Sequence, residues 1–133
     1  MRLFISIPLF VYLLIAANVV MLGGSGLAMN IIVTEFPLPS GASTVITVSD
    51  MLILTAVIFL YIETFKATRT SILSIVDHAL SLLVFVFFLI EYLVVAAVGN
   101  TTFLIITIIS LMDVVMGFTV TISTAKRDLT LGG

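Results

Sequence analysis

The chain has 133 residues, of which 62% are hydrophobic and 9% are charged, and its formal net charge is −2. A soluble globular domain is about 45–50% apolar and about 25% charged, so this composition excludes a soluble monomer. It also excludes a disordered chain, which needs low hydrophobicity and high charge. The acidic balance argues against a nucleic-acid partner. The absence of cysteine excludes disulfides and thiolate chemistry.

Long apolar runs dominate the sequence. A transmembrane helix needs about 20 mostly apolar residues to cross a hydrocarbon core of about 30 Å. Four runs meet this requirement, at residues 3–23, 44–65, 72–98 and 102–124. None of them alternates apolar and polar residues as the strands of a membrane barrel do. The sequence therefore predicts an all-α, four-helix transmembrane bundle that forms a single domain over residues 1–133.

The connections between these runs differ in length. Residues 66–71 and 99–101 are short and polar, which favours helical hairpins whose sequential helices lie side by side. Residues 24–43 form the one long connection. Because it contains several glycines and prolines, we expect it to be a mostly irregular outer loop.

The basic residues predict the orientation of the bundle. With four spans, every lysine and arginine lies on one side of the membrane: Arg2, Lys66, Arg69, Lys126 and Arg127. The opposite side has none. The positive-inside rule then places both termini in the cytoplasm.

Ionisable residues inside the predicted spans carry most of the functional information. Each costs about 2.5–3.5 kcal/mol on insertion scales, so such residues usually face a bundle interior or another subunit. Five of them occur at successive depths and are called the titratable ladder here: Asp50, Asp77, His78, Glu91 and Asp113. They could relay protons or cations, or they could form structural contacts within the bundle or with another chain. We expect His78 to reach Asp113, which is nearest in height, and Glu63 to pair with Lys66 three residues later.

The fourth span carries a stripe of small and polar residues. Ser110, Asp113, Gly117 and Thr121 recur at spacings of three and four residues, which places them on one helix face. Small and hydroxyl residues allow transmembrane helices to approach closely. We therefore interpret Ser110, Gly117 and Thr121 as helix-packing residues. The alternative is that this stripe lines a proton path with Asp113 as its central gate.

Enzymatic and cofactor chemistry has little support. The chain has a single histidine and no cysteine, so a haem held between two histidines would need a second chain, and zinc would need two or three acidic ligands converging on His78. It contains no nucleophile–base motif and no glycine-rich phosphate loop. We predict a non-enzymatic protein with no cofactor and no metal.

The second half of the chain resembles a group of small bacterial proteins. The resemblance covers residues 70–128 and lies mainly in the segments Ser74–Ser81, Met112–Ile122 and Ala125–Asp128, together with Glu91. These segments are similar to those of small four-helix inner-membrane proteins that carry no assigned activity. The resemblance implies a bacterial inner membrane and a four-helix protein.

Two functions are compatible with this pattern. Four helices enclose little volume, so we expect some members of the titratable ladder to face another protein chain. This favours a polytopic membrane subunit, surrounded by lipid, that forms a homo-oligomer or is an accessory part of a respiratory or transport complex. The alternative is a small proton- or cation-coupled transporter or channel that uses the titratable ladder.

Overall fold

The computed structural model describes residues 7–23, 27–68 and 72–131, and within them the chain is mostly helical. It forms the helices α1 (Leu9–Leu22), α2 (Val48–Ala67), α3 (Ile72–Val94) and α4 (Thr101–Leu131). Among the described residues, α2, α3 and α4 are long and apolar enough to cross a membrane. Helix α1 has 14 residues and is about 21 Å long. The start of the first predicted span lies outside the described residues, as do Arg2 and Arg69.

Helix α4 is the main packing partner of the bundle. Its most extensive contacts are with α2 and with α3, whereas α1 packs on α2 and α3 from the other side. Sequential helices are therefore not always the closest neighbours, because α2 packs chiefly on α4. The small and polar stripe of α4 explains this arrangement, since small side chains let a second helix approach closely.

The sequence predicted a mostly irregular connection between α1 and α2, and this prediction is wrong. It contains the strands β1 (Ile32–Pro37) and β2 (Ser43–Thr47), which pair antiparallel. At their tip, the Gly41 amide donates to the Leu38 carbonyl at 3.0 Å, and the Leu38 amide donates to Ala42 at 2.7 Å. Gly41 has a φ of 86°, which glycine adopts without steric cost. This is a three-residue hairpin loop whose last residue is left-handed, so the glycine and proline content marks a tight turn.

Some helix ends also differ from the predicted span boundaries. The second span begins at Val48 rather than residue 44, because Thr44–Thr47 pair in β2 and Thr47 caps the helix. The third helix ends at Val94 rather than residue 98, and a 3₁₀ turn follows at Ala96–Val98. The Asn100 carboxamide then accepts a hydrogen bond from the Phe103 amide at 3.0 Å, which caps α4. Polar caps, at Thr47 and Asn100, therefore mark the starts of α2 and α4.

The apolar core lies between the four helices. Its largest fully buried side chains are Phe10, Leu13, Phe88, Phe103 and Ile106. The rings of Phe88 and Phe103 join α3 to α4 with centroids 5.5 Å apart. Phe10 meets Phe59 edge-on at 6.4 Å and joins α1 to α2. The polar side chains described next lie at one end of this core.

Candidate functional site

Buried and half-buried polar side chains extend from the end of the bundle where α2 and α4 end and α1 and α3 begin to the middle of α4. They are called the inner polar cluster here: Glu63, Lys66, Asp77, His78, Ser81, Ser110, Asp113 and Thr121. The carboxyl, imidazole and serine members are between 1% and 6% exposed. Groups of this kind are rarely so buried unless they are paired, so the contacts of each one matter.

Lys66 joins two acidic residues from different helices. Its Nζ lies 2.8 Å from Oε2 of Glu63 on α2 and 3.4 Å from Oδ2 of Asp77 on α3. The predicted Glu63–Lys66 pair is confirmed, and Asp77 is a second partner that the sequence did not indicate. A shared ammonium offsets the cost of burying both carboxylates, and it ties the end of α2 to α3.

Glu63 also holds the start of α1. Its Oε1 accepts a hydrogen bond from the Leu9 amide at 2.6 Å. The first amides of a helix have no partner within the helix, and Pro8, at the cap position, makes no side-chain hydrogen bond to them. A carboxylate at this end is also favoured by the helix dipole. Glu63 therefore connects α1, α2 and, through Lys66, α3.

His78 contacts the helix-packing stripe of α4 one to two turns below Asp113. Its Nε2 lies 2.7 Å from Oγ1 of Thr121, whose hydroxyl donates to the Ala67 carbonyl at 3.3 Å. The ring lies against Gly117, where an added Cβ would be 2.7 Å from Nδ1. Gly117 and Thr121 thus pack α4 against α3 and the end of α2.

Asp113 lies at the inner end of the apolar core. Its carboxyl is 5% exposed and lies near the Ser81 side chain on α3. The second oxygen, Oδ2, has no hydrogen-bond partner within the described part of the chain, and the same is true of the Ser110 hydroxyl. Counted along α4 at about 1.5 Å per residue, Asp113 is about 18 Å from Thr101, close to the middle of a bilayer.

The other members of the titratable ladder lie elsewhere. Asp50 forms a capping box at the start of α2, where its Oδ2 accepts from the Thr47 amide at 2.8 Å. Glu91 accepts a hydrogen bond from Nδ2 of Asn18 on α1 at 2.7 Å. Asn18 therefore provides the hydrogen-bond partner of Glu91.

The structure divides the titratable ladder into separate groups. Asp77, His78 and Asp113 belong to the inner polar cluster, whereas Asp50 and Glu91 do not. Along the buried face of α3, Val84 and Phe88 separate Ser81 from Glu91, and they are 6% and 0% exposed. A polar path from the inner end thus reaches mid-depth and meets an apolar layer there.

A pocket opens at the opposite end of the bundle, under the hairpin. Its volume is about 400 Å³. Neutral side chains line it, among them Met21, Met29, Asn30, Ser49, Asn100 and Thr102. Because no charged residue lines this pocket, its chemistry differs from that of the inner polar cluster.

Metal binding through several strong ligands is not supported by the described residues. They contain no group of three or more His, Cys, Asp or Glu side chains that could hold a metal ion. The inner polar cluster instead offers one histidine, hydroxyl groups and carboxyl groups that are mostly engaged with Lys66. Comparison with protein-family models, curated proteins and solved structures gives no significant match to this chain.

Proposed function

We propose that this protein is a non-enzymatic membrane subunit that assembles through its hairpin, with copies of itself or as an accessory part of a larger membrane complex. The observation that carries this proposal is the apolar surface of the hairpin. Apolar side chains on α2, α3 and α4 have lipid as their natural environment. The hairpin lies beyond the helix ends, so lipid tails do not explain its exposed apolar side chains.

Both faces of the hairpin contribute to this surface. Its exposed apolar side chains are between 39% and 59% exposed and comprise Ile31, Ile32, Val33, Phe36, Leu38 and Val45. Contiguous exposed apolar patches on proteins mark interaction sites. The sheet has only two strands, so each has an outer edge that a further strand can pair with. A two-stranded sheet is marginally stable alone, and a partner would add to its stability.

The acidic residues of the titratable ladder do not support assembly with another chain. The sequence analysis expected some of them to face another chain. Instead Asp77 and Asp113 are buried within the bundle, and Glu91 pairs with Asn18. The case for a partner therefore rests on the hairpin.

The proposed location is a bacterial inner membrane, crossed four times with both termini in the cytoplasm. Lys66 and Lys126 lie at the same end of the bundle, opposite the hairpin, as the positive-inside rule requires of a cytoplasmic end. The fourth crossing rests on the apolar run of residues 3–23, of which α1 is part. The resemblance over residues 70–128 supports the bacterial assignment.

The test is the mass of the protein extracted from its membrane in a mild detergent, with its co-purifying chains identified. We expect a complex larger than the 14.3 kDa chain. The double variant Ile32→Thr, Phe36→Thr removes apolar surface and introduces threonine, a β-branched residue that strands favour, so it should release the monomer. Glu35→Gln, on the same exposed strand, is the matched control and should keep the complex. A wild-type monomer, or a complex unchanged in the double variant, would contradict the proposal.

A proton- or cation-coupled transporter is the second candidate, and the inner polar cluster is what favours it. Buried polar groups extend from Lys66, which is 18% exposed, to Asp113 at mid-depth. Passage to the other side requires the layer of Val84 and Phe88 to open. Reconstituted vesicles test this function, because Asp113→Asn should abolish proton or cation flux and leave the assembled mass unchanged.

A further inference from the structure

We propose that the side chains of Ser81, Ser110 and Asp113 form a binding site for one monovalent cation, with sodium as the best match. The site lies between α3 and α4 at the inner end of the apolar core. It is independent of assembly through the hairpin.

The first argument is that two oxygens of this group have no partner. The Ser110 hydroxyl is on a residue that is 1% exposed, and Oδ2 of Asp113 is on one that is 5% exposed. Neither has a hydrogen-bond partner in the described part of the chain. Most buried polar side-chain atoms do have one, and an exception calls for an explanation such as a bound ion.

The second argument is that Ser110 differs from five threonines of α2 and α4. A hydroxyl inside a transmembrane helix usually satisfies itself by donating to the carbonyl four residues earlier. Five threonines of α2 and α4 do so: Thr55, Thr64, Thr107, Thr119 and Thr124. Ser110 does not, although it is more buried than Thr107, which is 3% exposed. Its oxygen is left available to a ligand.

The third argument is geometric. Ser110 and Asp113 are three residues apart on α4, which places their side chains on the same helix face. Ser81, on α3, lies near the same carboxyl. One carboxylate and one hydroxyl group on α4, with a second hydroxyl group nearby on α3, supply oxygen atoms of the kind that suit hard cations.

The fourth argument is electrostatic and selects the charge of the ion. The buried part of the inner polar cluster holds three carboxyl groups, of Glu63, Asp77 and Asp113, against the single ammonium of Lys66. Lys66 contacts the first two carboxyl groups, so within the described part of the chain Asp113 is the carboxyl group of this cluster that has no ammonium beside it. A single carboxylate matches a monovalent ion, whereas calcium takes six to eight oxygen ligands and zinc prefers nitrogen and sulfur.

The experiment measures sodium binding by the full chain in lipid nanodiscs. We expect saturable binding of radiolabelled sodium, and a higher melting temperature in sodium chloride than in choline chloride at equal ionic strength. Ser110→Ala removes one ligand and should weaken sodium binding by about tenfold. Asp113→Asn should lose it. Thr119→Val is the matched control on α4, because its hydroxyl is exposed and bonded within its own helix, and it should bind sodium like the wild type.

Two results would overturn the proposal. One is sodium binding, and a sodium-dependent rise in melting temperature, that are the same in the wild type and in Ser110→Ala. This comparison does not need Asp113→Asn, so it still tests the proposal if that variant fails to fold. The other is a melting temperature that depends on pH but not on sodium, which would assign Oδ2 of Asp113 to a proton. The assembled mass is a separate measurement, so failure of this proposal and failure of the hairpin proposal are distinguishable.

Discussion

A Cβ added at Gly117 would lie 2.7 Å from Nδ1 of His78, so the imidazole on α3 occupies space that only a glycine on α4 leaves open. The same ring lies 2.7 Å from the Thr121 hydroxyl through Nε2. Contact with the helix backbone on one side and a hydrogen bond on the other fix its orientation. Gly117 therefore packs helices within one chain.

The first prediction concerns Gly117→Ala. The added methyl group displaces the imidazole and breaks its hydrogen bond to Thr121, and overpacking of this kind costs about 1–3 kcal/mol. Thermal unfolding of the detergent-solubilised protein should show the loss. Ser123→Ala, on the exposed face of α4, is the control and should leave the melting temperature unchanged. Equal melting temperatures for the two variants would show that the ring is free to move.

Much of the helical architecture was predictable because it depends on hydropathy. The apolar runs located α2, α3 and α4 to within a few residues, since a span must bury its backbone polar groups within itself. Hydropathy carries no information about capping hydrogen bonds, so it did not predict that α2 begins at Val48, behind the Thr47 cap. It also did not distinguish the end of α3 at Val94 from the apolar 3₁₀ turn that follows. The hairpin was not predicted, because the glycines and prolines of residues 24–43 favour irregular structure as well as tight turns. The β-branched residues on both sides of Pro39 and Gly41 are the signal that would have found it.

The candidate site was only partly predictable, because side-chain partners depend on how helices pack. The i, i+3 spacing predicted the Glu63–Lys66 pair. Spacing along one helix carries no information about a partner on another helix. The contact of Lys66 with Asp77 and the hydrogen bond from Asn18 to Glu91 therefore could not be predicted. His78 and Asp113 were expected to be in contact because their heights along the membrane normal are similar. In the structure the hydrogen bond of His78 Nε2 is to Thr121 instead.

The second prediction concerns Lys66→Met. Removing the ammonium leaves the Glu63 and Asp77 carboxylates buried without a cation. Breaking a buried pair costs about 3–5 kcal/mol, and we expect the lower end because Lys66 is 18% exposed. Equilibrium unfolding in mild detergent measures the loss. Adding Glu63→Gln and Asp77→Asn should restore most of the stability, and a triple variant as unstable as Lys66→Met would contradict this account.

The third prediction concerns Asn18→Leu. The change keeps the side-chain volume but removes the donor that lies 2.7 Å from Oε2 of Glu91. A buried acceptor left without its donor costs about 1–3 kcal/mol, and because Glu91 is only half-buried we expect the free energy of unfolding to fall by about 1 kcal/mol. Chemical denaturation measures it. Adding Glu91→Leu should recover the loss, because replacing both polar partners by apolar groups is nearly neutral. No recovery would mean that Glu91 has another essential role.

The last prediction separates Asp50 from the rest of the titratable ladder. Asp50 accepts from the Thr47 amide at 2.8 Å and from the Thr47 hydroxyl at 2.7 Å, which couples the end of β2 to the start of α2. Asp50→Ala should lower the free energy of unfolding by about 1 kcal/mol, the usual value for a lost helix cap. It should also speed hydrogen exchange of the first amides of α2. Asp50→Asn keeps an acceptor and should lose less.

Sodium binding and vesicle flux distinguish this capping role from a transport role. A residue that only caps α2 should leave both unchanged in Asp50→Ala, whereas Asp113→Asn should change both. The reason is position, because Asp50 lies at the hairpin end of α2 and the inner polar cluster lies at the other end. If Asp50→Ala abolished flux in a protein that still folds, the five ionisable residues would act as one path, and the apolar layer of Val84 and Phe88 would have to open during transport.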